Sequence, residues 1–120
     1  MHEMGIVLNI LHTIDRVAKS NNIKHVGMVE VEIGELSGVV PAYLKSFWPV
    51  ATENTVCFKS QLVTRVVRTV AKCLECGENY NVTDNLIEDI PTCPKCGSTR
   101  WRAVAGDQVE LCNIGVDEEG

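Results

Sequence analysis

Four of the six cysteines fall in two short pairs, Cys73 with Cys76 and Cys93 with Cys96. Each pair encloses two residues and is followed by a glycine, Gly77 or Gly97. Sixteen residues, Gly77 to Thr92, separate the pairs. Two residues between thiols let a tight turn aim both sulfurs at one ion while backbone N–H groups point at the sulfurs. A glycine just after the second cysteine can take a positive φ without a Cβ clash. Four thiolates suit the soft, tetrahedral preference of zinc(II), and the loop length lies in the range of such sites. With all four positions filled by protein, nothing is left open for substrate, so the expected role is structural. Lys72, Lys95, Arg100 and Arg102 could offset the negative charge of the site or form an ordinary solvated surface.

Other chemistries compete for the same residues. Two disulfides would need an oxidising compartment. A redox dithiol usually has one such pair beside a βαβ unit, not two facing pairs. Iron is the nearer competitor, because Cys-x-x-Cys-Gly with Cys-Pro-x-Cys-Gly also resembles rubredoxin, an electron carrier. Rubredoxin surrounds its iron with an aromatic core, whereas this segment has only Tyr80 and Trp101. Cys57 and Cys112 are left over, and the default for each is a small buried hydrophobe.

A second set of donors opens the chain, Met1-His2-Glu3. A single histidine is usually a surface residue. Here a free α-amine, the first backbone amides and the His2 ring could close chelate rings around one ion. Nickel(II) and copper(II) both accept such tetragonal nitrogen sets. Histidine is bulky, so Met1 is expected to be retained and its amine to be the first donor. Glu3 could tune the site by charge or hydrogen bonding, or meet a partner. His12 and His25 lie away from this motif and are assigned surface or packing roles.

These groups need elements to position them. From Ile6 to Ala18 the residues Val7, Ile10, Leu11, Ile14, Val17 and Ala18 make one helical stripe. Ser20-Asn21-Asn22 supplies turn chemistry after it. Val29, Val31 and Ile33 alternate with Glu30 and Glu32, the period of a half-buried strand. Gly34 to Gly38 reads as a turn. A helix is expected from Pro41 to Thr52, with Tyr43, Leu44, Phe47, Trp48 and Ala51 on its apolar face and Pro49 kinking or shortening it. Gln61 to Ala71 is rich in β-branched residues and reads as one strand. Gln108 to Val116 reads as a last strand, with a phase shift between Leu111 and Cys112 that suggests a bulge. Asp117-Glu118-Glu119 reads as a solvated tail.

The expectation is an α+β fold: a small three-stranded sheet with two helices, carrying an inserted zinc-ribbon-like four-cysteine module. The domain is placed at residues 1–71 and 104–120 and the module at 72–103. Leu11, Ile14, Val31, Ile33, Phe47 and Val109 are the expected core. Among its 120 residues the chain has a formal net charge of -5, which argues against a broad basic face for nucleic acid. No apolar run is long enough to span a bilayer. The first residues lack the basic region of a signal peptide, so a cytoplasmic protein is expected. No nucleophile–base pair, phosphate-cradling loop or carboxylate pair suggests an enzyme. Short connections around an inserted module permit strand exchange between chains, one route to a homodimer, and the sequence leaves the oligomeric state open.

Met1-His2-Glu3, Glu32-Ile33-Gly34 with Leu36-Ser37, and the two cysteine pairs ahead of a short last strand resemble the HypA/HybF family of hydrogenase-maturation nickel chaperones. The likeness runs over nearly the whole length. It implies nickel(II) bound through His2, the Met1 amine and nearby amides, and structural zinc(II) on Cys73, Cys76, Cys93 and Cys96. It also implies work with a nickel-handling GTPase to load the large subunit of [NiFe]-hydrogenase, with no membrane or nucleic-acid partner. No histidine flanks either cysteine pair, unlike some relatives that also serve urease, so the resemblance points to hydrogenase. A zinc-ribbon module that binds protein or nucleic acid and a rubredoxin-like electron carrier are the alternatives.

Overall fold

The computed structural model describes residues 2–116, with side chains from Met4 onward. The acidic tail at 117–119 lies outside the described residues. In chain order the elements are α1 (His2–Ser20), β1 (Val26–Gly34), α2 (Pro41–Ala51), β2 (Gln61–Val67), β3 (Val70–Cys73), β4 (Asn79–Asn81), β5 (Leu86–Ile87), β6 (Ile90–Pro91), β7 (Trp101–Ala105) and β8 (Val109–Val116). They form two compact units. One takes Met1–Glu32, Val39–Arg65 and Val109–Gly120; the other takes Ile33–Gly38 and Val66–Gln108. The range 72–103 lies within the second unit.

In the first unit α1 buries Val7, Ile10, Leu11, Ile14 and Ala18, the expected stripe. Val17, at its margin, is 39% exposed. The helix begins at His2 rather than Ile6, because nothing before Ile6 breaks it except Gly5, which costs about 1 kcal/mol relative to alanine. It ends where the asparagines stand. Asn22 takes a left-handed φ of 56°, the Ile23 N–H donates to the Ala18 carbonyl at 2.8 Å, and Asn21 Nδ2 donates to the Val17 carbonyl at 2.9 Å. That closes the orphan carbonyls of the last turn.

Helix α2 opens with Pro41 after Val40, which gives no side-chain cap. Pro49 does not end it. Lys45 and Pro49 are both exposed, so the carbonyl left without a donor lies on the solvent side. Burial of Leu44 and Trp48, worth roughly 2 kcal/mol each, offsets the loss. Thr52 closes the end, its N–H and hydroxyl both donating to the Trp48 carbonyl, at 3.0 and 2.8 Å. The buried line is Leu44, Trp48 and Thr52, one narrow i, i+4, i+8 row. Tyr43 is therefore 54% exposed and Phe47 only half-buried, against expectation.

The sheet order is β2-β1-β8, the expected three-stranded sheet beside two helices. Val29, Val31 and Ile33 are buried in alternation, as read from the sequence. Val109 is only half-buried on β8, one of the two edge strands of this sheet. Along β8 burial alternates from Val109 to Cys112 and the phase slips at Asn113, one residue later than expected. Cys112 therefore keeps step with Glu110 and points outward instead of being buried.

The single strand expected over Gln61–Ala71 is two. β2 stops at Val67, and β3 starts at Val70 in another sheet. Thr69 marks the change. Its N–H donates to Glu35 Oε1 at 3.2 Å and its hydroxyl to the Gly106 carbonyl at 2.6 Å. β-Propensity runs unbroken through this stretch, and these long-range bonds divide it.

In the second unit β3 lies between β4 and β7, antiparallel to both. Ala71 faces Tyr80 on one side and Ala103 on the other, and Cys73 faces Trp101. The core is Ala71, Cys73, Tyr80, Val82 and Cys93, with Trp101 packed against it. β5 and β6 form a separate antiparallel hairpin.

Candidate metal centre

The two cysteine pairs sit on matching turns. Cys73 N–H donates to the Glu78 carbonyl at 2.8 Å, and Gly77 N–H returns to the Cys73 carbonyl at 3.0 Å. Cys93 N–H donates to the Ser98 carbonyl at 2.9 Å, and Gly97 N–H returns to the Cys93 carbonyl at 2.9 Å. Gly77 and Gly97 have φ values of 80° and 79°, the left-handed turn their positions suggested. Strand β3 delivers Cys73 into this arrangement. A further bond, Leu74 N–H to the Arg100 carbonyl at 3.0 Å, ties the first turn to the segment after the second.

All four sulfurs lie within 4.8 Å of one another. Cys73 Sγ is 3.6 Å from Cys96 Sγ, and Cys76 Sγ is 3.6 Å from Cys93 Sγ. A tetrahedron with metal–sulfur bonds of about 2.3 Å has edges of about 3.8 Å. The sulfurs therefore already stand close to a four-thiolate shell. None of the six cysteines is in a disulfide. Cys73 and Cys93 are buried, Cys76 and Cys96 exposed, so the cluster lies at the surface with one thiol of each pair rooted in the core.

The surroundings favour ionised sulfur unevenly. Backbone N–H groups of Cys76 and Glu75 and the neighbouring thiols carry Cys73 from its ordinary value down to about 6, against its burial. One of these donors, Glu75 N–H, is 3.4 Å from Cys73 Sγ. At Cys93 burial opposes ionisation, but the N–H groups of Cys96 and Lys95 lower it overall. At Cys96 the Ser98 N–H favours thiolate, yet burial and the hydrogen bonds its own thiol donates to the other sulfurs push it up to about 12. Cys76 is raised as well, although the Glu78 N–H favours its thiolate. Four thiols this close cannot all ionise unaided, and a divalent cation removes that repulsion. Among the flanking cations, Arg100 is engaged elsewhere, 2.9 Å from Glu75 Oε1.

Tyr80 was not singled out by spacing. Strand alternation in β4 buries it against Cys73 and Cys93, and its hydroxyl makes no hydrogen bond among the described residues. Burial, then the nearby thiols, raise its phenol. Of the remaining cysteines, Cys57 is fully buried and its thiol pushed up to about 11 by that burial. Cys112 is exposed, and burial and the Glu32 carboxylate raise it. His12 is exposed, and His25 Nε2 stands 2.9 Å from the Phe58 carbonyl, the packing role expected of it. Met1 and the side chains of His2 and Glu3 lie outside the described residues; the backbone of His2 and Glu3 forms the first turn of α1.

No helix among the described residues is long and apolar enough to cross a membrane. Comparison with known proteins agrees over the whole length. Two solved structures share the fold at TM-scores of 0.74 and 0.75: the solution structure of the Ni metallochaperone HypA from Helicobacter pylori, and a solution structure of HypA protein. They are 22% and 24% identical, and each alignment covers 97% of this chain and 97% or 96% of the other. Hydrogenase maturation factor HypA of Methanocella arvoryzae is 35% identical, with 98% of this chain and 99% of that protein covered. The factor of the same name from Aquifex aeolicus is 34% identical, with 95% and 96% covered. Residues 1–116 match the family described as hydrogenase/urease nickel incorporation, metallochaperone, hypA. With the four-cysteine site and the fold in agreement, the chain belongs to the HypA family of nickel-incorporation metallochaperones.

Proposed function

We propose that this chain is a carrier, not a catalyst, that holds nickel(II) at its amino terminus and hands it on during [NiFe]-hydrogenase maturation. The family match from residue 1 to 116 carries this reading, because it includes Met1-His2-Glu3. The Met1 amine and the His2 ring are the donors, with backbone amides completing a tetragonal nitrogen set and Glu3 adjusting it. The start of α1 at His2 supports the amide donors, since the first N–H groups of a helix have no intrahelical acceptor. Cys73, Cys76, Cys93 and Cys96 hold structural zinc(II); a shell closed by four thiolates leaves cargo no way in. A partner GTPase and the hydrogenase large subunit are the proteins served, in the cytoplasm. The relatives named above are hydrogenase maturation factors, and no histidine beside either cysteine pair points to urease.

Amine and imidazole must both be neutral to donate. Nickel binding therefore weakens as pH falls through about 8 and then about 6.5, the ordinary ranges of those groups. The test is calorimetric nickel titration of untagged protein, His2→Ala and a form extended before Met1. The wild type binds one nickel; the other two bind at least about tenfold more weakly while keeping fold and zinc. Equal binding by all three forms sinks the terminal site. Visible absorption from an iron–thiolate centre in purified protein would replace zinc and favour the electron-carrier reading.

A further inference from the structure

The cysteine module carries a hairpin that its own chain leaves unfinished. Among the described residues β5 and β6 pair only with each other, Leu86 opposite Pro91 and Ile87 opposite Ile90. The turn between them, Glu88 and Asp89, has φ values of 51° and 65°, the tight turn that matches strand twist. Its base is fixed: Thr92 N–H donates to the Asn85 carbonyl at 2.8 Å, and Asn85 Nδ2 to the Asn81 carbonyl at 2.7 Å. Beyond that base the apolar residues face solvent. Leu86 is 43% exposed, Ile87 62% and Ile90 50%. Leu86 and Pro91 lie on one face of the ribbon and Ile87 and Ile90 on the other, so both faces are apolar and exposed. A two-stranded ribbon of this kind is marginal alone and gains stability from a third strand.

The two edges differ. Asn85 with Thr92 is a hydrogen-bonded pair, so by alternation Leu86 with Pro91 is not, and their backbone groups point outward. On the β6 edge the outward residue is proline, which has no N–H to give. On the β5 edge Leu86 turns both its N–H and its C=O outward. That edge adjoins a groove of about 450 Å³ lined by Asn85, Leu86, Ile87, Thr92, Pro94 and Gly97, among others.

Charge selects the occupant. Glu88 and Asp89 at the tip have no ion-pair partner among the described residues, whereas Asp84 at the base is paired with Arg68 at 2.6 Å. Asp84 also lines the groove, but Arg68 offsets its charge, so the unpaired negative charge of this hairpin is that of Glu88 and Asp89 at the tip. A second copy fits poorly. Antiparallel pairing of β5 with itself about Leu86 sets Glu88 opposite the other copy's Asp84, acid against acid. We propose that the outer edge of β5 is a docking site for an extended apolar segment of a partner protein that carries lysine or arginine beside its apolar residues. Such a segment adds a strand at Leu86, covers Leu86, Ile87 and Ile90, and sets its cation over Glu88 and Asp89.

This site goes beyond the nickel reading and does not depend on it, so His2→Ala leaves it intact. The test uses the full metal-loaded chain, labelled for amide resonances, and a synthetic hexapeptide alternating isoleucine and threonine between terminal lysines. A twin peptide has glutamate at both ends, and a third is N-methylated on the strand edge that pairs. The lysine peptide shifts amides confined to 84–92, and the other two bind about tenfold more weakly. Ile87→Ser weakens binding by a similar factor with metal content unchanged, and Glu88→Lys with Asp89→Lys reverses the preference between the charged twins. The proposal is overturned if the lysine peptide at about 2 mM shifts no hairpin amide, or if all three peptides bind alike. It is also overturned if the wild type is a homodimer that Ile87→Ser dissociates.

Discussion

Cys57 and Cys112 had the same default in sequence, and the fold separated them. Cys57 is sealed in the first unit with its thiol at about 11, while Cys112 stands in solvent. In metal-loaded native protein one thiol should therefore react quickly with a disulfide reagent, and Cys112→Ser should abolish that phase. Cys57 should react only on unfolding, since thiolate is the nucleophile and burial suppresses it. Its raised value also sets a sign. A thiol that holds its proton more tightly when folded contributes stability below its unfolded value of about 8.5, and the contribution is lost as pH rises toward 11. The alkaline fall in melting temperature should flatten in Cys57→Ala, and parallel curves would refute the assignment. Tyr80 gives a second test. Its buried hydroxyl has no partner among the described residues, so Tyr80→Phe should leave the metal-loaded protein as stable or about 1 kcal/mol more stable in urea. A clear loss would mean that the hydroxyl is bonded.

At the scale of elements, burial decided which sequence periods were used. α1 and β1 kept their periods because each meets its core along one continuous face. Val31 is fully buried on β1, the central strand of its sheet. Val31→Asp puts an unpaired carboxylate there at a cost of about 4 kcal/mol or more, a large part of a small domain's stability. The variant should be unfolded or insoluble at 25 °C, and a circular-dichroism melt like that of the wild type would show that the face was assigned wrongly. α2 departs from its pattern because it is apolar on more than one side while only the row of Leu44, Trp48 and Thr52 is covered. A single helix cannot reveal which of two apolar faces its neighbours will take. The run from Gln61 to Ala71 was legible as β structure but not as two strands, since the break depends on Glu35 and Gly106, both more than thirty residues from Thr69.

For the whole molecule, the two units differ in what holds them. The first has aliphatic residues from α1, β1 and α2 in its core. The second has a core in which two of five buried residues, Cys73 and Cys93, are themselves candidate ligands. So small an apolar cluster needs its metal. Stripping the metal with a strong chelator at neutral pH should collapse amide protection across residues 70–105 and change Trp101 emission, while the helical far-ultraviolet signal of α1 and α2 remains. Cys93→Ser should do the same without chelator. Unchanged protection in metal-free protein would mean that the hydrogen-bonded turns suffice by themselves.

Local chemistry was readable from the sequence because it depends on near neighbours. The paired cysteines with their glycines, the stripe of α1, the alternation in β1 and the asparagine stop after Ser20 are each set within a few residues, where chain geometry leaves few options. Only tertiary structure could bring Cys73 to Cys96 and Cys76 to Cys93, divide the β-branched run at Thr69, turn Cys112 outward while burying Cys57, and put Tyr80 under the thiols. Each of those outcomes is a choice among surfaces with equal local preference, and contacts from residues far away in the chain made it.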